Sequence, residues 1–118
     1  MECHNMGSVN AVAKAFETAA AEVDRLSKKS DTMEGQAIKA VRRHEAELGR
    51  AVDLLDSWTY KLAKKPARST ADIGAKARAV KTYLEVVGGG DPEEVLLCYP
   101  GRELLLSTVA DIAALPGA

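Results

Sequence analysis

Apolar residues recur every three or four positions in the first part of the chain, which is the repeat of an α-helix with one buried face. Charged side chains lie between these positions, and Ser8, a residue type that caps helix N-termini, stands immediately before them. The apolar positions are Val9, Val12, Phe16, Ala20, Val23 and Leu26. This pattern predicts a first helix over residues 8–29.

A second apolar repeat predicts a helix over residues 33–65, capped by Asp31 or Thr32 and ended by Pro66. Its inner positions are Ile38, Val41, Glu45, Leu48, Val52, Leu55, Thr59 and Leu62. Such a helix would be about 48 Å long, whereas a compact domain of this size is only about 28 Å across. We therefore expect the helix to bend, to break near Gly49, or to project and require a partner.

Two further apolar repeats complete the chain. One predicts a helix over residues 70–87 that ends at the glycines 88–90. The other predicts a helix over residues 92–115 with a break near Tyr99 and Pro100. Their apolar positions are Ile73, Ala77, Val80, Leu84 and Val87 in the first, and Leu105, Val109 and Ile112 in the second. Each helix is thus expected to bury one face.

The sequence as a whole predicts an all-α protein, because no stretch alternates with the two-residue period of a strand. Short connections between the predicted helices favour an antiparallel helical bundle of about four helices with a long second helix. We expect a single domain over residues 1–118, in which residues 1–7 form a mobile tail.

Composition narrows the class of protein. The 118 residues are 47% apolar and 28% charged, which is typical of a globular domain. No apolar run approaches the roughly 18 residues of a membrane span, and the start of the chain lacks the pattern of a secretory signal. The two cysteines, Cys3 and Cys98, are too few for a disulfide scaffold and favour a reducing, cytoplasmic setting.

Charge is unevenly distributed, although the formal net charge is only −1. Residues 61–81 contain seven basic side chains against one acidic, and residues 82–118 contain one basic against six acidic. The basic residues are Lys61, Lys64, Lys65, Arg68, Lys76, Arg78 and Lys81. They could bind nucleic acid or another polyanion, complement the C-terminal dipole of the second helix, or pair with the acidic last helix. Because no aromatic residues interleave with them, we disfavour nucleic-acid binding.

Glu45 is the one carboxylate on an apolar stripe, and His44 stands beside it. A general acid or base and a metal ligand are the functional interpretations. Neither residue stands at a recurring ligand spacing from the other candidate ligands, which are Cys3, His4, Glu47 and Cys98. We therefore predict that His44 and Glu45 are buried polar residues, with Glu45 bonded across the bundle. No catalytic residue, metal or cofactor is predicted.

Trp58 is the only tryptophan and lies one turn beyond Leu54 and Leu55. We expect it to seat the third helix against the second. The alternative is that Trp58, with Leu55 and Leu62, anchors an interface with another chain, where tryptophan is enriched.

The stretch from Trp58 to Ala77 reads W-x₇-P-x-x-S-x-A-D-x-x-A-K-A, and Ser107 with Asp111 adds S-x-x-x-D. The chain thereby resembles small all-helical proteins of proteobacteria and their prophages, in which T-x-A-G-x-x-A-K-A precedes S-x-x-x-D. The resemblance covers about residues 34–115, with Ser69 in place of the usual Thr and Asp72 in place of Gly. It implies a small bacterial helical protein and implies no activity.

These observations predict a non-enzymatic helical interaction or scaffold protein. Its partner is expected to be a second copy of itself, as a homodimer or higher oligomer, or another protein. The alternative function is binding of nucleic acid or another polyanion through residues 61–81.

Overall fold

The computed structural model describes residues 8–87, Glu93 and residues 99–115. Within these ranges the chain forms helices and no strand. The helices are α1, Val9–Ser30; α2, Ile38–Lys64; α3, Thr70–Val86; and α4, Tyr99–Ala113. The predicted all-α bundle of four helices is thus confirmed. The expectations for residues 1–7, for the glycines 88–90, for the start of a helix at residue 92 and for Cys98 lie outside the described residues.

Helix α1 forms where its sequence predicts it. The Ser8 hydroxyl accepts a hydrogen bond from the backbone N–H of Ala11 at 3.0 Å, which satisfies one of the free donors of the first turn. Lys28 and Lys29 in the last turn complement the helix dipole. All six predicted apolar positions are buried: Val9, Val12, Phe16, Ala20, Val23 and Leu26. This helix therefore supplies one complete wall of the core.

Helix α2 begins later than predicted, at Ile38 rather than residue 33. The predicted caps end α1 instead, because the Asp31 N–H donates to Lys28 O and the Thr32 hydroxyl donates to Lys29 O. Gly35 then adopts a φ of 83°, a conformation that glycine tolerates best, and turns the chain. From Ile38 the helix runs without a break through position 49, which excludes one of the three alternatives, an interruption near Gly49.

The four helices form a bundle in which α1 packs against α2 and α3, and α4 packs against the same two helices. Helices α2 and α3 therefore lie diagonally across the bundle. The end of α1 meets the start of α2 where Ser30 contacts His44 at 2.7 Å, so these helices are antiparallel. Helices α3 and α4 are also antiparallel, as the Lys76–Asp111 contact at one end and the Tyr83–Gly101 contact at the other show.

The buried faces of α3 and α4 are each rotated by about one residue from the predicted stripes. In α3 the buried residues are Ala75, Lys76, Ala79 and Tyr83. In α4 they are Gly101, Leu104 and Thr108, whereas Val109 and Ile112 are 54% and 45% exposed. The apolar stripe predicted for α4 was therefore wrong by one register step. In α3 the predicted Val80, Leu84 and Val87 are half-buried and pack against the core beside the fully buried residues.

Gly101 on α4 packs directly against the ring of Tyr83 on α3. A Cβ atom added to Gly101 would lie 2.6 Å from Cε1 of Tyr83, whose side chain is only 2% exposed. The tyrosine ring thus occupies the space that a side chain on Gly101 would need.

We predict that Gly101→Ala lowers the free energy of unfolding by about 1–3 kcal/mol, because Tyr83 must move to admit the methyl group. Gly49→Ala is the matched control, since nothing lies within 4 Å of its added Cβ and alanine in a helix is favoured over glycine by about 0.5–1 kcal/mol. Urea denaturation followed by circular dichroism measures both. Similar stabilisation by the two variants would contradict this packing.

Candidate functional site

The side chain of Lys76 is completely buried. Its ammonium group donates hydrogen bonds to the Lys65 carbonyl at 2.7 Å, to the Ser107 hydroxyl at 2.7 Å and to Asp111 Oδ2 at 2.5 Å. The Ser107 hydroxyl in turn donates to the Ala63 carbonyl at 2.5 Å. We call these three side chains and two carbonyls the Lys76 cluster.

Three helices position the Lys76 cluster. Helix α3 carries Lys76 on its buried face, and α4 carries Ser107 and Asp111 one turn apart, so both face Lys76. Ala63 and Lys65 lie at the C-terminal end of α2, where a helix leaves carbonyl groups without partners inside the helix. The cluster therefore joins the end of α2 to α3 and α4.

The Lys76 cluster resembles a serine–lysine pair, yet its hydrogen bonds do not suit nucleophilic catalysis. A general base must offer a lone pair to the proton it removes, whereas the Lys76 ammonium donates to three oxygen acceptors. Ser107 directs its own proton to a backbone carbonyl and not to Lys76. The arrangement is that of a hydrogen-bonded buried ion pair, which fixes helix positions.

Burial removes Lys76 from the predicted polyanion-binding residues, so that assignment is corrected. The sequence left open that basic residues pair with the acidic last helix. The ion pair between Lys76 and Asp111 is a contact of this kind. The other basic candidates have different neighbours. Lys61 lies 4.4 Å from the centroid of the Trp58 ring, and Lys64 borders the groove between α2 and α4. Arg78 borders the groove between α1 and α3.

The remaining basic candidates are Lys65, Arg68 and Lys81. Arg68 and Lys81 are exposed and Lys65 is half-buried. Arg68 and Lys65 border a small pocket near the start of α1, together with Asp72. The basic candidates thus border several different grooves of the bundle.

Of the two predicted buried polar residues, only His44 is buried. Its Nε2 atom lies 2.7 Å from the Ser30 hydroxyl, while Nδ1 is buried and has no hydrogen-bond partner among the described residues. Glu45 is exposed, so the prediction that it bonds across the bundle is wrong. The side chain at position 44, one residue earlier, points to α1 instead.

Two of the three interface candidates lie in the core. Leu55 and Leu62 are completely buried against α1 and its neighbours, so neither can contact another chain. Trp58 is half-buried and packs against the same core. It borders a shallow groove between α1 and α2 together with Leu54, which is 53% exposed.

The apolar repeats in the sequence did not predict that the outer face of α4 exposes apolar side chains. Four of the six large apolar side chains that are exposed in the described ranges belong to this helix, so the apolar surface is concentrated there. They are Tyr99 at 57%, Leu106 at 52%, Val109 at 54% and Ile112 at 45% exposure. Beside them lies a groove of about 530 Å³ between α2 and α4, bordered by Tyr60, Lys64, Tyr99 and Leu106. The sequence does contain an indication of this apolar surface, because residues 104–113 include only one charged residue, Asp111.

The described part of the chain holds no group of three or more side chains suited to bind a metal ion. Nor does any helix there have the length and apolar character to cross a bilayer.

Comparisons with protein-family models, with curated proteins and with solved structures find no match to this chain. Any function must therefore be argued from the residues themselves.

We predict that Asp111→Ala lowers the free energy of unfolding by about 3–5 kcal/mol, because it leaves the buried Lys76 ammonium without its counter-ion. The double variant Lys76→Met with Asp111→Leu should recover most of that loss, since no buried charge remains. Lys81→Met, at an exposed site on the same helix, should change stability by less than about 0.5 kcal/mol. Chemical denaturation of the wild-type chain and the three variants measures each change in the free energy of unfolding. A double variant less stable than Asp111→Ala would argue against this account of the ion pair.

Asp56, on α2, leads to a prediction of how the stability of the fold depends on pH. Partial burial raises the pKa of the Asp56 carboxyl, Asp53 raises it further, and a hydrogen bond from the Tyr83 hydroxyl opposes both. A raised pKa means that the folded state binds the proton more tightly than the unfolded state. The ionised carboxylate therefore costs stability above the folded-state pKa, and this cost declines as the pH falls through that pKa.

Asp56→Asn should consequently raise the melting temperature at pH 7 and confer little gain at pH 4, because asparagine remains neutral and can still accept from Tyr83. Thermal unfolding of both proteins from pH 4 to pH 7 measures the difference between their melting temperatures. The contributions of the other carboxyl groups cancel in this difference, because both proteins contain them. An advantage that grows toward pH 4 would contradict the sign of the shift.

Proposed function

We propose that this chain is a non-enzymatic helical interaction protein that associates with a second copy of itself through the outer face of α4. The observation that carries the proposal is the exposure of Leu106, Val109 and Ile112 on one short helix. Concentrated apolar surface of this kind is typical of interaction sites rather than of the free surface of a monomer.

The energetics favour a weak, concentration-dependent association. Covering a half-exposed aliphatic side chain contributes about 1 kcal/mol. A single pair of helices this short covers less than the roughly 1,600 Å² of a standard interface. We therefore expect a dimer that dissociates in the micromolar range or above.

The other functional classes have less support. The Lys76 cluster uses its donors internally, so it offers no base to a substrate. The exposed basic residues border different grooves, which does not favour a polyanion site along residues 61–81. A bacterial and cytoplasmic setting, favoured by the sequence resemblance and the low cysteine content, is part of the proposal.

Leu106→Glu should shift the protein toward the monomer, because association would bury the new carboxylate in the apolar contact. Ile38→Glu is the matched control, since Ile38 is 70% exposed on α2 and away from α4. Sedimentation velocity over micromolar to submillimolar concentrations measures the distribution, and circular dichroism checks that both variants fold. A wild-type chain that stays monomeric throughout, or equal effects of the two substitutions, would refute the proposal.

A further inference from the structure

The outer face of α4 carries a repeat of its own. Arg102, Leu106, Val109 and Ala113 follow one another at steps of four, three and four residues, and all four are exposed. This is the spacing with which two helices pack side by side along their length. The repeat lies on the side of α4 opposite Leu104 and Thr108, which face the core. We call these four residues the α4 seam.

We propose that the α4 seam pairs antiparallel with the α4 seam of a second copy, around a two-fold axis between Leu106 and Val109. This inference rests on the self-association proposed above and adds its orientation and register. Leu106 lies opposite Val109 of the second copy, and Arg102 lies opposite Ala113 of the second copy. Two-fold symmetry produces each contact twice.

The shape of the α4 seam is complementary to itself, which supports a second copy of the chain as its partner. The long Arg102 side chain meets the small Ala113, and the two aliphatic residues of the seam meet each other. On one flank, Leu105 lies opposite Ile112 of the second copy, which covers the remaining half-exposed aliphatic side chain of α4. A second copy thus covers the aliphatic surface of α4 without burying an unpaired charge.

Charge selects the antiparallel orientation. In a parallel two-fold pair, Arg102 would lie opposite Arg102, and the two cations would repel. In the antiparallel pair, its guanidinium group lies beside the C-terminal end of the other α4. That end carries the negative pole of the helix dipole and has no basic residue in its last turn. The arginine therefore supplies the cation that this helix end lacks.

Disulfide crosslinking tests the orientation in a chain whose native cysteines, Cys3 and Cys98, are replaced by serine. An equal mixture of the Arg102→Cys and Ala113→Cys proteins should form a crosslinked dimer on mild oxidation. Arg102→Cys alone should not, because its two copies lie about 16 Å apart along antiparallel helices. A mixture of Arg102→Cys with Ile38→Cys measures random collisions. Sedimentation of the cysteine-free chain reports self-association independently.

The outcomes separate the two proposals. Crosslinking of Arg102→Cys with itself would show a parallel pair and overturn this inference, while the self-association stands. A dimer without crosslinks above the collision control would also overturn it, by placing the contact elsewhere. If sedimentation finds only the monomer, both proposals are overturned, and the α4 seam must bind a partner other than a second copy.

A second measurement does not depend on cysteines. Arg102→Ala should weaken dimerisation about 3- to 30-fold, which is the effect of losing two cation–helix-end contacts. Arg102→Lys, which keeps the charge, should retain most of the affinity. Unchanged affinity in Arg102→Ala would overturn the proposed register.

Discussion

The ammonium group of Lys76 is the constraint on which this bundle depends, because among the described residues it is the charge taken completely out of water. A buried cation is tolerated only with a counter-ion and full hydrogen bonding. Helix α4 supplies Asp111 and Ser107, and the end of α2 supplies the Lys65 carbonyl. Since the carbonyls at a helix end also need donors, one side chain satisfies the end of α2 and holds α4 in place.

The same cluster decides which face of α4 is exposed. Apolar periodicity alone favours turning Val109 and Ile112 inward, but that rotation would turn Ser107 and Asp111 away from Lys76. Breaking a buried ion pair costs about 3–5 kcal/mol, whereas each half-exposed aliphatic side chain forgoes only about 1 kcal/mol. The electrostatic requirement therefore outweighs the apolar one, and the fit of Gly101 against Tyr83 acts in the same direction.

This competition between the buried ion pair and apolar burial explains which helices could be predicted from the sequence. Helix α1 could be predicted almost to the residue, because its buried face contains only apolar side chains. The buried faces of the last two helices could not, because their apolar repeats leave Lys76 off the stripe and so place it outside. Its partners Ser107 and Asp111 lie 31 and 35 residues away, a separation that no local pattern reports. The motif behind the sequence resemblance contains all three residues, but a motif does not reveal that they touch. For the same reason, the outer face of α4 was mistaken for part of the core.

The self-association that we propose would be coupled to folding through α4. The α4 seam faces outward only while Lys76, Ser107 and Asp111 hold the helix in its observed rotation, so the proposed contact surface exists only in the folded chain. A partner that binds the folded state alone stabilises it by mass action. Pairing through the seam would then strengthen the docking of α4 as the protein concentration rises, and dilution would weaken it. The buried lysine thus closes the bundle and keeps an apolar face of α4 exposed, which is the face that we propose binds a second copy.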